Sequence, residues 1–399
     1  MRHERQVQLL ERVAAAGPHL EGLHAPASMT APASAYTDPQ RFADEMRLLF
    51  RPGPVLVGLS SELAGAGSYR AITVDGIPIV VVRQADGTLR ALVNACRHRG
   101  APLVDTVSDG DGLRAFSCPY HAWTYELDGA LRARPMSAGA FDDVADACSL
   151  HPLPVAERYG LIFVRPTGTE PIDVDEVLAG ARDDLGAFGL GDYVHIDSRV
   201  NTWKMNWKLF FDTFTESYHI RTLHRTTLAP TFNSDTVIFE PHGRNALSIG
   251  LRKDVLDETA KPRDEWSLLP YGTIQYFLLP NALLVHQLDH LELWRVEPID
   301  VGTVRTTTSL FAPTEPHSER ARNYFVKNLD LLLQVTGTED FPLMERIQTN
   351  LASGALPEVI YGRNEPPLIH FHRSVAEALA AGRAAEQHAT NGHAQKVEV

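Results

Sequence analysis

Cysteine is scarce in this chain, and several familiar features are missing altogether. Three cysteines in 399 residues are too few for a disulfide framework, so we expect a protein of the reducing cytoplasm. No run of about 18 apolar residues occurs, which argues against a membrane-spanning helix. The first residues, MRHERQVQLLERVAAAG, mix acids with bases and lack the apolar segment of a secretory signal.

Basic residues are also fewer than acidic ones. The chain has 37 Lys and Arg against 50 Asp and Glu, a net charge of −13, which argues against nucleic acid or an anionic membrane as a partner. A glycine-rich nucleotide fingerprint is absent as well. The segment GAGSYR at Gly65 lacks a third glycine and lies among predicted strands, so we predict a turn there.

Composition and hydrophobic periodicity divide the chain into four parts and predict an α+β fold. Residues 1–53 contain an Ala- and Pro-rich arm, which could lie on another subunit, and then a helix. Residues 54–166 are short runs of β-branched and aromatic residues separated by turns such as VDGI and ELDGA, which predicts an all-β domain. Residues 167–382 predict a second domain, a central antiparallel sheet covered by helices. Residues 383–399 are predicted to be disordered.

Within residues 167–382 the predicted elements are specific. Helices are expected at residues 174–190, 204–218, 317–334 and 339–352. Six segments are expected to form the sheet: DTVIFE, ALSIGL, TIQYFLL, NALLVHQL, HLELWRVEP and VRTTTSLFAP.

Two of the three cysteines each stand close to a histidine. The segment ACRHRGAPL holds Cys96 and His98, and SCPYHAWTY holds Cys118 and His121. Two such pairs in predicted loops indicate a metal site. A structural zinc site uses the same ligand types, whereas this spacing also suits a 2Fe–2S centre with two cysteines on one iron and two histidines on the other. Cys148 is expected to be a small buried apolar residue.

The flanks of these pairs resemble the Rieske family. CRHRGAPL matches its first loop, and CPYHAWTYELDGALRARP matches its second. The resemblance implies a 2Fe–2S Rieske cluster on Cys96, His98, Cys118 and His121. Ala122 stands where the family usually has glycine, and the gap between the pairs is slightly longer than usual, but neither departure removes a ligand. Such a cluster passes one electron at a time, so it needs an acceptor.

A second group of candidate ligands lies in NWKLFFDTFTESYHIRTLHRTTL. Glu216 and His219 are three residues apart, which a helix would place on one face. His219 and His224 are five apart, so both reach one ion only if the helix breaks or bends after His219. Two histidines need one carboxylate to form the facial triad of non-haem iron, and Glu339 and Asp340 are the candidates. Without this context, two such histidines are more often structural.

Both groups together resemble the large, oxygenase component of the Rieske non-haem iron oxygenases, the ring-hydroxylating oxygenase family, over roughly residues 36–380. The late acidic pair is followed by Glu345 and Gln348, as in that family. The resemblance implies mononuclear Fe(II) on His219, His224 and Asp340, with Glu339 as the alternative third ligand.

Two further carboxylates are catalytic candidates. Glu216 takes the family's bridging position, where a carboxylate links a cluster histidine of the neighbouring subunit to an iron histidine and so carries the electron across a subunit boundary. Most ring dioxygenases have aspartate at this position, whereas several quaternary-ammonium oxygenases have glutamate. Asp212, one helical turn earlier, either assists or is a solvated carboxylate on a helix face.

The resemblance implies an oxidoreductase of the monooxygenase or dioxygenase type. It would use dioxygen and electrons from a separate NAD(P)H-dependent reductase, with or without a ferredoxin, to hydroxylate an aromatic or other small organic substrate. An alternative is N- or O-dealkylation, including that of quaternary ammonium compounds. A Rieske electron carrier without oxygenase activity and a zinc-stabilised binding protein are more distant alternatives. The expected assembly is a cytoplasmic homotrimer.

The substrate pocket is expected to lie over the iron. Core packing is an alternative role for every candidate wall residue, and His370 and His372 are expected to be structural. The candidate walls are Phe210, Phe211, Phe214, Phe232, Tyr276, Phe277, Leu284 and His286.

Overall fold

The chain folds into two compact units. The computed structural model describes residues 1–17 and 23–397. The small unit spans Phe50–Val177, and the large unit combines residues 1–49 with the chain from Leu178 onward. Most of the N-terminal part, which the sequence predicted as an arm and helix of its own, therefore groups with the large unit.

The helices and strands are numbered in chain order. Helices α1 to α10 are His3–Ala16, Ser34–Thr37, Pro39–Glu45, Val174–Leu178, Arg182–Phe188, Trp207–Phe214, Val255–Thr259, Glu319–Val335, Phe341–Ala352 and Pro366–Val397. Strands β1 to β10 are Met29–Pro32, Val55–Leu59, Tyr69–Val74, Ile77–Arg83, Leu89–Val93, Ser108–Gly110, Phe116–Ser117, Thr124–Tyr125, Leu131–Ala133 and Pro152–Leu153. Strands β11 to β20 are Val155–Arg158, Leu161–Val164, Val194–Trp203, Phe232–His242, Asn245–Arg252, Gly272–Leu278, Ala282–Gln287, His290–Asp300, Thr303–Ala312 and Glu358–Tyr361.

The small unit consists mainly of short antiparallel strands. Its sheets have the orders β10-β5-β4-β3-β6, β11-β12-β2 and β7-β8-β9. The VDGI segment forms the β3–β4 hairpin turn, since Asp75 and Gly76 both have positive φ. All three cysteines lie in one apolar core together with Phe116 and Tyr125, so the expectation that Cys148 is buried is confirmed.

The large unit is built on one seven-stranded antiparallel sheet of order β13-β19-β18-β17-β16-β15-β14. Helix α8 packs against β13 and β19, and α10 packs against β14 and β15. The prediction of a central antiparallel sheet covered by helices is thus confirmed. Strand β13 was missed because its sequence, VHIDSRVNTW, buries one residue of ten and has no apolar alternation.

Both chain ends differ from the sequence prediction. Helix α1 lies on the large unit of its own chain, where Arg5 and Arg12 form ion pairs with Glu240 of β14. Helix α10 continues to Val397 where a disordered tail was predicted from residue 383, and the Arg383 guanidinium lies 2.7 Å from Asp44 of α3. Among the described helices, none is both long and apolar enough to cross a membrane.

One buried histidine of the sheet makes stability depend on pH. Burial lowers the pKa of His286, on β17, to about 4, and neighbouring positive charges act in the same direction. The unfolded chain keeps the ordinary value near 6.5, so it binds more protons between these two values, and stability is lost as the pH falls through that window.

We expect His286→Leu to reduce this pH dependence. Removal of the titrating ring should take away about 2 kcal/mol of the stability lost between pH 7 and pH 5. In thermal melts, the drop in melting temperature over that interval should be smaller by roughly 4–8 °C in the variant. Melts at pH 8 give the reference for any pH-independent effect of the substitution. An equal drop in both proteins would contradict the prediction.

Candidate functional site

Both Cys–His pairs lie in loops of matching geometry. The N–H of Cys96 donates to the carbonyl five residues later, and its carbonyl accepts from the N–H four residues later, both at 2.8 Å. Cys118 repeats the two bonds at 2.8 and 3.0 Å. The residue four positions after each cysteine has positive φ, 77° at Gly100 and 55° at Ala122. Because an L-residue pays about 1–2 kcal/mol there, Ala122 is a strained position.

The four ligands divide into an inner and an outer pair. Cys96 and Cys118 are each 3% exposed, whereas the two histidines lie towards the surface with their Nδ1 atoms 3.1 Å apart. Burial by itself would raise the pKa of the Cys118 thiol, but the backbone N–H groups of Tyr120 and His121 and the neighbouring Cys96 outweigh it and lower that pKa. The lowered pKa favours the thiolate form of Cys118.

This arrangement fits two irons better than one zinc. A single tetrahedral zinc holds its ligands at 2.0–2.3 Å, which would draw the four atoms to within about 4 Å of one another. Among the described residues, no three of these four donor atoms form such a group within 4.8 Å. Buried sulfurs on one side and exposed imidazoles on the other suit a 2Fe–2S cluster with unlike ligands on its two irons.

A tyrosine that the sequence analysis did not select contacts the candidate cluster site. Tyr125, on β8, places its hydroxyl 3.1 Å from Cys96 Sγ. The same oxygen accepts from the Arg97 N–H at 3.0 Å, so its own hydrogen is available to the sulfur. Tyr125 therefore acts on the sulfur without being a ligand.

Helix α6 leads into the second candidate site, and it ends earlier than predicted. The Asn206 side chain caps it by accepting from Lys208 N–H at 3.0 Å. It ends at Phe214, where the Thr215 hydroxyl donates to the Asp212 carbonyl at 3.2 Å, and a short 3₁₀ turn, Tyr218–Arg221, follows. The break thus precedes His219 instead of following it.

The early break changes how Glu216 meets His219. The two do not share a helix face. Instead, Glu216 Oε2 accepts from the His219 backbone N–H at 3.1 Å, and Oε1 contacts His219 Nδ1. The Glu216 carboxylate therefore caps the 3₁₀ turn with one oxygen and contacts the His219 ring with the other.

Three side chains, one of them from this turn, converge here. Donor atoms of His219, His224 and Asp340 all lie within 4.8 Å of one another. Asp340 Oδ1 is 3.0 Å from His224 Nε2 and 3.6 Å from His219 Nε2, and the residue is 2% exposed. Glu339 is not part of this group, because its Oε2 accepts from His224 Nδ1 at 2.8 Å and from Thr227 Oγ1 at 3.0 Å.

Each histidine of this group is thus held from both sides. The inner nitrogen faces Asp340, and the outer nitrogen faces a glutamate, Glu216 for one ring and Glu339 for the other. A carboxylate on the outer nitrogen fixes the ring orientation and raises its basicity as a ligand. Two imidazoles and one carboxylate are the donor set of a non-haem Fe(II) facial triad, so these residues fit that ion.

Asp212 lies in a buried network instead of a solvated helix face. Its oxygens are 2.5 Å from Tyr36 Oη and 2.8 Å from His372 Nε2, and Tyr36 Oη is 2.6 Å from Tyr361 Oη. The solvated alternative is wrong, since the side chain is 12% exposed. In the described part of the chain, no hydrogen bond or ion pair joins Asp212 to His219 or His224. An assisting role for it stays a prediction.

A cavity of about 340 Å³ opens beside the three converging side chains. Of the eight candidate walls, Phe214 and Phe232 line it. Tyr276, Leu284 and His286 belong to the other face of the sheet, because strand side chains alternate. The sequence analysis missed its polar lining from strands β16, β17 and β18, which no periodicity marks: Thr273, Gln275, Gln287, His290 and Glu292.

Two family models match this chain. One describes the Rieske [2Fe-2S] domain and matches residues 53–150. The other describes the ring hydroxylating alpha subunit (catalytic domain) and matches residues 190–381. The chain belongs to the Rieske oxygenases, as an oxygenase alpha subunit.

Curated relatives agree with this family. The glycine betaine monooxygenase oxygenase subunit of Chromohalobacter salexigens is 36% identical over 194 residues, 48% of this chain and 42% of that subunit. The chain thus spans less than half of that relative's length. The carnitine monooxygenase oxygenase subunit of Escherichia coli K12 is 28% identical over 372 residues, 88% of this chain and 94% of that one.

Solved structures share the fold. A quaternary ammonium Rieske monooxygenase, CntA, in complex with an inhibitor, has a TM-score of 0.75 and 25% identity, covering 88% of this chain and 95% of that one. Naphthalene 1,2-dioxygenase from Rhodococcus sp. has a TM-score of 0.72 at 18% identity, covering 95% and 98%. The latter likeness concerns the fold alone.

Family membership confirms several expectations. This Rieske oxygenase is an oxidoreductase with a 2Fe–2S cluster and mononuclear non-haem iron, and subunits of its kind work with a reductase and use dioxygen. A pure electron carrier would lack the catalytic domain. The assignment of individual residues as ligands or catalytic groups stays a prediction.

We expect Tyr125→Phe to lower the reduction potential of the Rieske cluster. A hydrogen bond to a cluster sulfur stabilises the reduced, more negative state, and its loss corresponds to about 20–60 mV for one electron. A spectroscopic redox titration measures the midpoint. Tyr120→Phe is the control, because that hydroxyl lies near Arg99 instead of a cysteine. An unchanged midpoint in Tyr125→Phe would contradict the assigned contact.

We expect Glu339→Gln to weaken iron binding without removing a ligand. Loss of the carboxylate behind His224 should reduce iron affinity about 10- to 100-fold, the usual effect of removing such a partner. Iron retained by the mononuclear site at a series of chelator concentrations gives the affinity, with the visible absorption of the cluster as an internal reference. Glu345→Gln, which changes an acceptor of the Lys204 N–H, is the control. Equal iron retention in Glu339→Gln and Glu345→Gln would contradict the role of Glu339 in supporting His224.

Proposed function

We propose that the substrate of this Rieske oxygenase is a small cationic amine, oxygenated at a carbon held beside His219, His224 and Asp340. The charge of the cavity carries the proposal. Among the described residues that line it, none is lysine or arginine; Asp340 would ligate the iron, and Glu216 and Glu292 contribute two further carboxylates. An anionic substrate would lose its hydration and meet like charges, while a cation would meet opposite ones.

The relatives support the same substrate class. Proteins similar to this chain are named as monooxygenases of glycine betaine, carnitine and, in Arabidopsis thaliana, choline. All three names denote alkylated ammonium compounds. Glu216, which replaces the aspartate of most ring dioxygenases, points the same way. Oxygenation next to nitrogen leads to an unstable hydroxylated carbon and hence to dealkylation, the alternative that the sequence left open.

The proposed residue roles follow from the contacts. His219, His224 and Asp340 would hold Fe(II), which supplies the position at which dioxygen is reduced and activated. Glu216 and Glu339 fix the two imidazoles from behind. Phe214, Phe232 and the aliphatic side chains of the cavity exclude water from the reacting carbon. Cys96, His98, Cys118 and His121 would hold the 2Fe–2S cluster that delivers single electrons.

We also propose that the active assembly is a cytoplasmic homotrimer served by a separate reductase. A second cavity, of about 200 Å³, opens on the other side of Glu216, His219 and Asp340. Exposed apolar side chains belong to the same region, Tyr218 and Ile360. On the small unit, Tyr120 is exposed beside His121. These features support docking of the cluster loops of one copy onto the Glu216 side of another.

A substrate panel tests the proposed function. With a reconstituted reductase, we expect alkylated amines to give oxygenated or dealkylated product coupled to dioxygen uptake, and aromatic carboxylates to give none. Released formaldehyde distinguishes N-demethylation from ring hydroxylation. Asp340→Ala should keep the visible absorption of the cluster and lose product formation. Efficient turnover of an aromatic carboxylate, with no turnover of amines, would overturn the proposal.

A further inference from the structure

The inner end of the main cavity carries a cluster of polar side chains that the roles above do not use. Strand register places them together: Gln275 of β16 pairs with Val285 of β17, which pairs with Glu292 of β18, and Gln287 pairs with His290. Alternation along each strand puts these positions on the face that borders the cavity. The sheet therefore presents a polar subsite on one wall of the cavity.

Glu292 is the centre of this subsite, and both of its hydrogen bonds from protein side chains go to one carboxylate oxygen. The residue is 2% exposed. Its Oε1 accepts from Gln287 Nε2 at 3.0 Å and from His290 Nε2 at 3.3 Å. Its Oε2 has no hydrogen-bond donor among the described residues. Glu292 lines the cavity, so a ligand there that donates a hydrogen bond to Oε2 would be favoured over one that has no donor.

The charge around Glu292 selects a cation. His290 has both ring nitrogens on carboxylates, Nε2 on Glu292 and Nδ1 on Asp289 at 3.0 Å. Burial alone would lower the pKa of His290, but these two carboxylates outweigh it and raise the pKa. With the ring protonated, the three groups together carry one negative charge. The imidazole then has no N–H left to offer an anion.

The aromatic lining distinguishes between kinds of cation. A quaternary ammonium has no N–H and is usually bound by several converging aromatic rings. Among the described lining residues, Phe214 and Phe232 are the aromatic side chains other than histidine. A quaternary ion would therefore leave Glu292 Oε2 without a donor and would contact few aromatic rings. A protonated amine with at least one N–H forms a charge-assisted hydrogen bond instead.

We propose that Glu292 Oε2 accepts a hydrogen bond from the N–H of a protonated amine, so that this enzyme prefers primary to tertiary ammonium ions over quaternary ones. The inference rests on the proposed function, because it refines the class of cationic substrate. It also separates this chain from relatives that are named for fully alkylated ammonium compounds.

The test is a binding measurement without turnover. Holoenzyme loaded with iron and kept free of oxygen is titrated calorimetrically with two probes, N,N-dimethylbutylamine, which is protonated at neutral pH, and N,N,N-trimethylbutylammonium. We expect the protonated amine to bind about 10- to 100-fold more tightly, the effect of one hydrogen bond to a charged group. In Glu292→Gln this ratio should fall to near one, whichever way the two separate affinities move.

Glu297→Gln is the matched control. Glu297 lies on the same strand but pairs with Arg305 and does not line the cavity, so the ratio should stay as in the parent enzyme. Equal or tighter binding of the quaternary ion by the parent enzyme, or an unchanged ratio in Glu292→Gln, would overturn the subsite. A quaternary preference would leave the cationic-amine function standing. If the parent enzyme binds the two ions in the expected ratio but forms product from neither of them in turnover assays, the cationic-amine function is contradicted instead.

Discussion

The large unit is organised around one buried carboxylate. Asp340 Oδ1 lies between the Nε2 atoms of His224 and His219, at 3.0 and 3.6 Å, in a residue that is 2% exposed. A buried charge is tolerated only when it is paired, so this oxygen requires both imidazoles to stay in place and, in the loaded enzyme, a cation among them. Every other feature of the centre serves to hold these three groups.

The support comes from segments that are far apart in the chain. The Glu216 carboxylate caps the turn that carries His219, and Glu339 holds His224 from behind. Asp212 ties α6 to the N-terminal segment and to α10 through Tyr36 and His372. Removal of any one support leaves a buried polar group without its partner, so a network of this kind gives the centre one preferred geometry.

The two candidate metal sites are built in opposite ways. Each cluster loop is closed by its own backbone, with the same two hydrogen bonds around Cys96 and around Cys118, so its shape is local. The iron centre is closed by side chains that meet across more than a hundred residues. This difference suits their tasks, because a one-electron relay needs a fixed surface position, whereas an oxygenase also needs a shaped cavity beside the metal.

The sequence by itself determined the local patterns: the two Cys–His pairs, the spacing of Glu216, His219 and His224, and six of the seven strands of the main sheet. These depend on short-range spacing and hydrophobic periodicity, which a single chain displays. Only the tertiary structure placed Asp340, and not Glu339, between the two histidines, placed Asp212 in its buried network and brought Glu292 to the cavity. Those outcomes depend on strand register and on where α6 ends, which are fixed by packing between distant segments that no local pattern records.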